Sequence, residues 1–101
     1  MIRYTLTPGT RYAEKTGRTF EVEEIRVDGE LVGAMYSSDS YRFGLVADET
    51  GEYPHGDCTL DTMTARDTMV GMIMRHREVG NHENWRTLAR DIERDDAERV
   101  A

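Results

Sequence analysis

The sequence predicts an α+β fold in which an antiparallel meander of three or four strands is followed by two amphipathic helices packed on one face. Two observations support this prediction. From Arg18 to about Val46, apolar residues recur at every second position and turn dipeptides separate the runs. From Asp61 onward, apolar residues recur every three to four positions. A period of two is typical of half-buried strands, and spacing near 3.6 is typical of helices.

The first hairpin is predicted from Asp28-Gly29, because a type I′ turn needs positive φ at both central residues and this dipeptide tolerates it. A two-residue loop pairs Val27 with Glu30. Further along, the apolar pattern fails unless one strand contains an extra residue. We therefore predict a β-bulge at Glu23-Glu24, set opposite Gly33, which turns the apolar residues on both sides of it toward the same face.

A second, weaker turn signal at Ser38-Asp39 predicts another hairpin, with Tyr36 opposite Tyr41. The two hairpins together define the face that is expected to receive the helices: Phe20, Val22, Ile25, Val27, Val32, Ala34, Tyr36, Tyr41, Phe43 and Leu45. The other face is expected to be solvated, as is common in antiparallel sheets. It carries Glu21, Arg26, Leu31, Met35, Arg42 and Val46, with Gly33 opposite Gly44.

The ends of the predicted sheet, which spans residues 1–47, are less regular. Ile2, Tyr4 and Leu6 alternate and predict an edge strand, whereas Thr7–Gly17 is predicted to be a loop. Residues 48–60 have no hydrophobic period and are rich in acids, so they are predicted to form an acidic surface loop.

Two helices are predicted, over residues 61–79 and 82–97. The first carries a capping-box pattern, Thr64-x-x-Asp67, and an apolar stripe formed by Met63, Met69, Val70, Met72, Ile73 and Met74. The second has an apolar face at i, i+3, i+4 and i+7, formed by Trp85, Leu88, Ala89 and Ile92. Trp85 is therefore expected to be buried.

Charge and composition restrict the classes of function. The 101 residues carry a net charge of −7: residues 1–60 hold eleven Asp and Glu against six Lys and Arg, and residues 61–101 hold nine against seven. Such acidity argues against sequence-independent binding of nucleic acids, which relies on a basic field. A single cysteine excludes an internal disulfide, and no run approaches the roughly 20 apolar residues that span a bilayer. We expect a cytoplasmic protein that does not bind membranes.

The sequence contains no Gly-rich phosphate loop, no G-x-S-x-G and no H-E-x-x-H motif, so we expect a non-enzymatic protein without a cofactor. One alternative is a small metal-binding protein or enzyme that uses His55, Asp57 and Cys58, with His76 or His82 completing a tetrahedral set. The spacing of these residues matches no recognised zinc pair, and a cysteine in this setting is more commonly buried in the core.

A second alternative is a helix-turn-helix protein that binds nucleic acid. Gly80-Asn81 separates the two predicted helices, and the second helix carries a basic row of Arg86, Arg90 and Arg94. Acidic side chains flank this row, which instead favours a solvated face held by ion pairs.

The acids of the first hairpin and the 48–58 loop form a candidate partner-binding surface, together with one tyrosine: Glu21, Glu23, Glu24, Asp48, Glu49, Glu52 and Tyr53. In size, acidity and lack of motifs the chain resembles accessory proteins of phages and mobile elements, many of which inhibit host defence proteins. That resemblance implies a small protein-binding module whose partner is a host protein with a basic surface. The other interpretation of the acids is a solubilising surface that protects the sheet edges.

Overall fold

The computed structural model describes residues 3–13, 16–53, 57–59 and 64–79, together with 90, 92 and 94. The described elements are β1 (Thr5–Ala13), β2 (Arg18–Val27), β3 (Glu30–Ser37), β4 (Arg42–Val46), β5 (Asp57–Thr59) and α1 (Arg66–Val79). The strands follow chain order across one sheet, and every neighbouring pair is antiparallel. The predicted α+β fold with an antiparallel meander is therefore confirmed. The short strand β5 lies within the segment that was predicted to be a loop.

Strand β1 is longer than the sequence predicts. It pairs with β2 along its whole length, from Thr5 opposite Arg26 to Ala13 opposite Arg18, so the predicted loop over Thr7–Gly17 is wrong for most of its length. Pro8 is tolerated because β1 lies at the edge of the described sheet, where a missing N–H can face away from the ladder.

The first hairpin turn has the predicted conformation. The φ angles of Asp28 and Gly29 are 52° and 81°, and Val27 pairs with Glu30. These positive φ values are what a type I′ turn requires, and Asp-Gly adopts them with little strain.

The predicted bulge at Glu23-Glu24 is wrong, because the extra residue lies on the other strand. Ile25 pairs with Gly33 and Arg26 pairs with Leu31, which leaves Val32 in β3 without an opposite residue. Strand β2 is then regular, so residues three apart in it point to opposite faces. Val22 and Ile25 accordingly belong to two different apolar clusters.

The second hairpin is shifted by two residues relative to the prediction. Tyr36 pairs with Phe43 and Ala34 pairs with Leu45, and a four-residue loop is closed by the N–H of Ser38 donating to the carbonyl of Tyr41 at 2.9 Å. A shift of two preserves the face on which each side chain lies. The predicted pairing of Gly33 with Gly44 is wrong, since Gly33 faces Val46.

Helix α1 covers the face that was predicted to be solvated. It packs on β3 and β4, and the resulting core consists of Ile25, Val32, Met35, Val46, Met69, Val70, Met72 and Ile73. The physical reason is the pair Gly33 and Gly44, which leave room for the helix. A Cβ at Gly44 would lie 2.5 Å from Sδ of Met69, and a Cβ at Gly33 would lie 2.8 Å from Cγ2 of Ile73.

The opposite face, which we call the aromatic face, carries a smaller apolar cluster of Val22, Ala34 and Leu45 flanked by Phe20, Tyr36 and Tyr53. The ring of Tyr36 lies 4.7 Å from that of Phe20 and 4.6 Å from that of Phe43, and the latter pair is stacked within 5°. Most of the predicted helix-facing residues therefore lie on this second face.

Helix α1 spans Arg66–Val79, so the predicted start at 61 is wrong, because Thr64 and Ala65 precede the helix. The predicted end at 79 coincides with the last described residue of this segment and stays a prediction. The predicted second helix lies largely outside the described residues, as does Trp85. Residues 90, 92 and 94 are helical, and Ile92 packs against the main core, 3.4 Å from where a Cβ on Gly71 would lie. The arrangement of two helices stays a prediction.

Candidate protein-binding groove

A groove of about 1080 Å³ lies on the helix side of the sheet, beside the first turn of α1. Its lining includes Leu6, Pro8, Thr10, Glu21, Glu23, Met35, Ser37 and Arg66, together with parts of Thr7, Gly9, Phe20, Val22, Tyr36 and Ser38. Pro8 pairs with Glu23 and Thr10 pairs with Glu21, so β1 and β2 contribute adjacent side chains to the same surface. Among the described elements, α1 packs mainly on β3 and β4, which leaves this part of β1 and β2 open beside its first turn.

Two carboxylates line the groove. Glu23 accepts a hydrogen bond from Nη2 of Arg66, with 3.2 Å between the nitrogen and Oε1, and both side chains remain partly exposed. Glu21 lies two residues along the same strand, which places the two side chains about 7 Å apart on one face. Glu21 is exposed and forms no ion pair with any described residue.

Arg42 anchors the segment that leads into α1. This arginine is nine-tenths buried, its Nε donates to the carbonyl of Thr64, and its Nη1 lies 3.9 Å from Sδ of Met35. Burial, followed by the nearby charge of Arg66, lowers the pKa of Arg42 from its ordinary value, and the charge of Glu23 opposes this shift. The contact with Thr64 connects β4 to the start of the helix, and so positions Arg66 over the groove.

Tyr4 forms a second anchor at the same end of the helix. Its hydroxyl donates to Oδ1 of Asp67, the residue that the sequence assigned to a capping box. Burial, then the hydrogen bond and the negative charge of Asp67, raise the pKa of Tyr4 from 10.0 to about 12. The contact connects the residue before β1 to the first turn of α1.

Replacement of Tyr4 by phenylalanine is expected to change how stability depends on pH. Because the pKa of Tyr4 is raised on folding, the contribution of Tyr4 to the free energy of unfolding is present below about pH 10 and is lost as the pH rises through about 12. The free energy of unfolding of the wild-type protein should therefore fall more steeply over this interval than that of Tyr4→Phe. Urea denaturation at several pH values measures both slopes. Tyr41→Phe, at an exposed tyrosine, is the control and should retain the wild-type slope.

The seven residues predicted to bind a partner do not form one surface. Glu21 and Glu23 lie in the groove, whereas Glu24 lies on the opposite face in an ion pair with Arg26 at 3.3 Å. Tyr53 is half-buried against the aromatic face, with the guanidinium of Arg11 5.4 Å from the centre of its ring. Burial, followed by the charge of Glu24, raises the pKa of Tyr53.

The remaining three predicted residues lie on the turn that follows β4. Asp48 holds this turn, since its Oδ1 accepts hydrogen bonds from the hydroxyl of Thr50 at 2.6 Å, the N–H of Thr50 at 2.8 Å and the N–H of Glu52 at 3.0 Å. These bonds, the Thr50 hydroxyl foremost, lower the pKa of Asp48. Its carboxylate therefore serves the local structure, while Glu49 and Glu52 are exposed.

Arg66 is the charged residue of the groove that was not predicted from the sequence. One signal was available, because a cation in the first turn of a helix opposes the helix dipole and therefore needs another reason to be there. Leu6 and Met35 were also missed, the first as the end of a short edge strand and the second because it was assigned to the solvated face.

Neither alternative function is tested by the described residues. His55 and the side chains of Asp57 and Cys58 lie outside them, and no group of three metal-binding side chains occurs in the described part of the chain. The proposed helix-turn-helix depends on residues 80–89, which also lie outside the described part of the chain. Within that part, no helix is long and apolar enough to cross a bilayer.

Comparisons of the chain with protein-family models, curated proteins and solved structures found no match.

Proposed function

We propose that this chain is a small non-enzymatic protein-binding module whose groove binds a basic segment of a partner protein. The observation that carries the proposal is the pair Glu21 and Glu23, two carboxylates about 7 Å apart in a groove whose lining also includes apolar side chains such as Leu6 and Pro8. The size and acidity of the chain support a setting in which it inhibits a host protein, such as a defence protein, on behalf of a phage or mobile element.

The groove combines the two features that cationic side chains need. Carboxylates attract the charged ends of Arg and Lys, and apolar side chains such as Leu6 and Pro8, which are at least partly exposed, can pack against their methylene stems. The net charge of −7 adds a long-range field that accelerates the approach of a basic partner.

The aromatic face supports a binding function less well. Its rings contact one another, with Tyr36 stacked on Phe43, and Tyr53 packs onto the same cluster. One face of Tyr36 and one face of Phe43 are therefore already occupied by the other ring.

The proposal is tested by neutralising the groove. We expect Glu21→Gln/Glu23→Gln to slow association with a partner captured from a host lysate by about tenfold at low salt, because steering by these charges is lost. The difference from wild type should shrink at high salt, where the Debye length falls to about 3 Å. Surface plasmon resonance at two salt concentrations measures both effects.

The matched control is Glu49→Gln/Glu52→Gln, which removes the same charge from two exposed acids on the turn after β4. This variant should associate at nearly the wild-type rate. Equal slowing by the two double variants would show that only net charge matters, and no slowing by either would leave the acids as a solubilising surface.

A further inference from the structure

The geometry points to Arg66 as an internal competitor of the partner. In the free protein, its guanidinium binds Glu23 at the position that an arginine of the partner's basic segment occupies in the complex. This inference rests on the proposed function and names the group that the groove recognises. It follows from where Arg66 lies, what it contacts and how its neighbours are held.

The contact between Arg66 and Glu23 is one that another cation can replace. The two atoms are 3.2 Å apart, and the side chains of Arg66 and Glu23 remain 56% and 39% exposed. Ion pairs at this degree of exposure contribute little to stability, because water and salt compete for both charges. Exchange of Arg66 for a cation of the partner therefore costs the fold little.

The backbone around Arg66 is held by other contacts. Thr64, two residues before it, accepts a hydrogen bond from buried Arg42, and Asp67, immediately after it, accepts one from Tyr4. The side chain of Arg66 can therefore leave Glu23 while the first turn of α1 stays in place. Its position also disfavours a helix-stabilising role, since a cation in the first turn opposes the helix dipole.

The groove favours arginine over lysine in the partner. A planar guanidinium pairs with a carboxylate through two parallel hydrogen bonds and is weakly hydrated, so it can lie against apolar groups such as Leu6 and Pro8. Glu21 provides a second carboxylate about 7 Å from Glu23, which equals the spacing of alternate side chains in an extended peptide. The expected partner segment is therefore extended and carries arginines at alternate positions.

The experiment uses an acetylated, fluorescently labelled hexapeptide of alternating glycine and arginine, with a glycine-lysine hexapeptide as its counterpart. Fluorescence anisotropy measures their affinity for the full-length protein at low salt. Arg66→Gln is expected to bind the arginine peptide about two- to fivefold more tightly than wild type, because the internal competitor is gone. The gain should be smaller for the lysine peptide.

Arg75→Gln is the matched control, because Arg75 lies on the same helix, is also 56% exposed and forms an ion pair with Glu78 instead of a groove residue. It removes the same charge and should leave the affinity close to that of wild type. In a Glu23→Gln background, Arg66→Gln should give no gain, because the two residues act through the same contact.

The failure of this inference can be told apart from the failure of the proposed function. If wild type binds the arginine peptide but Arg66→Gln does not tighten binding, or tightens it no more than Arg75→Gln, Arg66 is not an internal competitor and the groove remains the site. An equal gain with both peptides would overturn the preference for arginine. No binding of either peptide by wild type or Arg66→Gln would count against the groove itself.

Discussion

Gly33→Ala is expected to remove much of the stability of this fold. A Cβ at this position would lie 2.3 Å from the carbonyl oxygen of Leu45 and 2.8 Å from Cγ2 of Ile73, closer than real Cβ contacts allow. The carbonyl belongs to the neighbouring strand β4, so the clash is relieved only if β3 and β4 separate or twist. We expect a loss of about 3 kcal/mol or more, against a total stability of about 5–15 kcal/mol for a typical domain.

Chemical denaturation of three glycine variants measures this effect with internal controls. A Cβ at Gly71, within α1, would meet Ile92 at an ordinary 3.4 Å, so Gly71→Ala should be neutral or slightly stabilising because alanine favours helix. The loss of stability in Gly44→Ala should lie between those of Gly33→Ala and Gly71→Ala, since the new Cβ would meet the flexible side chain of Met69 at 2.5 Å. If Gly33→Ala were as mild as Gly71→Ala, the close approach of β3 and β4 would be wrong.

The hydrophobic period predicted the elements better than it predicted their packing. Alternation and the Asp28-Gly29 turn indicated β2, β3 and β4, and spacing near 3.6 indicated α1. Alternation alone does not say which face is covered, because β3 is apolar on both faces. The choice depended on Gly33 and Gly44, where the missing side chains allow the helix to approach, and the prediction had assigned them to the solvated face.

The candidate site was predicted in part for a related reason. Glu21 and Glu23 were identified because acids on a strand are visible in the sequence, but Arg66 lies 43 residues from Glu23 and meets it only through the tertiary fold. The role of Asp48 was easier to predict from the sequence, since an aspartate two residues before a threonine commonly caps a turn through its own side chain. Local contacts of this kind can be predicted from sequence, whereas contacts between helix and sheet depend on which face is covered.

Ile73→Ala is expected to be the second most damaging of these substitutions. Ile73 is fully buried in the main core and packs over Gly33. Removing its three outer carbons should leave a cavity that the sheet fills only in part, with a loss of about 3–4 kcal/mol. Thermal and urea denaturation measure the loss, and Met74→Ala, at a half-buried position on the same helix, is the control that should cost less.

Combining Ile73→Ala with Gly33→Ala tests whether the two residues are in direct contact. The loss of Cγ2 from Ile73 removes the 2.8 Å contact with the new methyl group, so the double variant should be less destabilised than the sum of the two single variants, by about 1 kcal/mol. The rescue should be partial, because the 2.3 Å contact with the carbonyl of Leu45 persists.

Val70→Ala is the control for this pair. Val70 is as buried as Ile73, but none of the three atoms nearest to the new Cβ belongs to Val70, so the effects of Val70→Ala and Gly33→Ala should be additive. If both double variants deviated equally from additivity, the helix as a whole would move away from the new methyl group, and Ile73 would have no special position over Gly33.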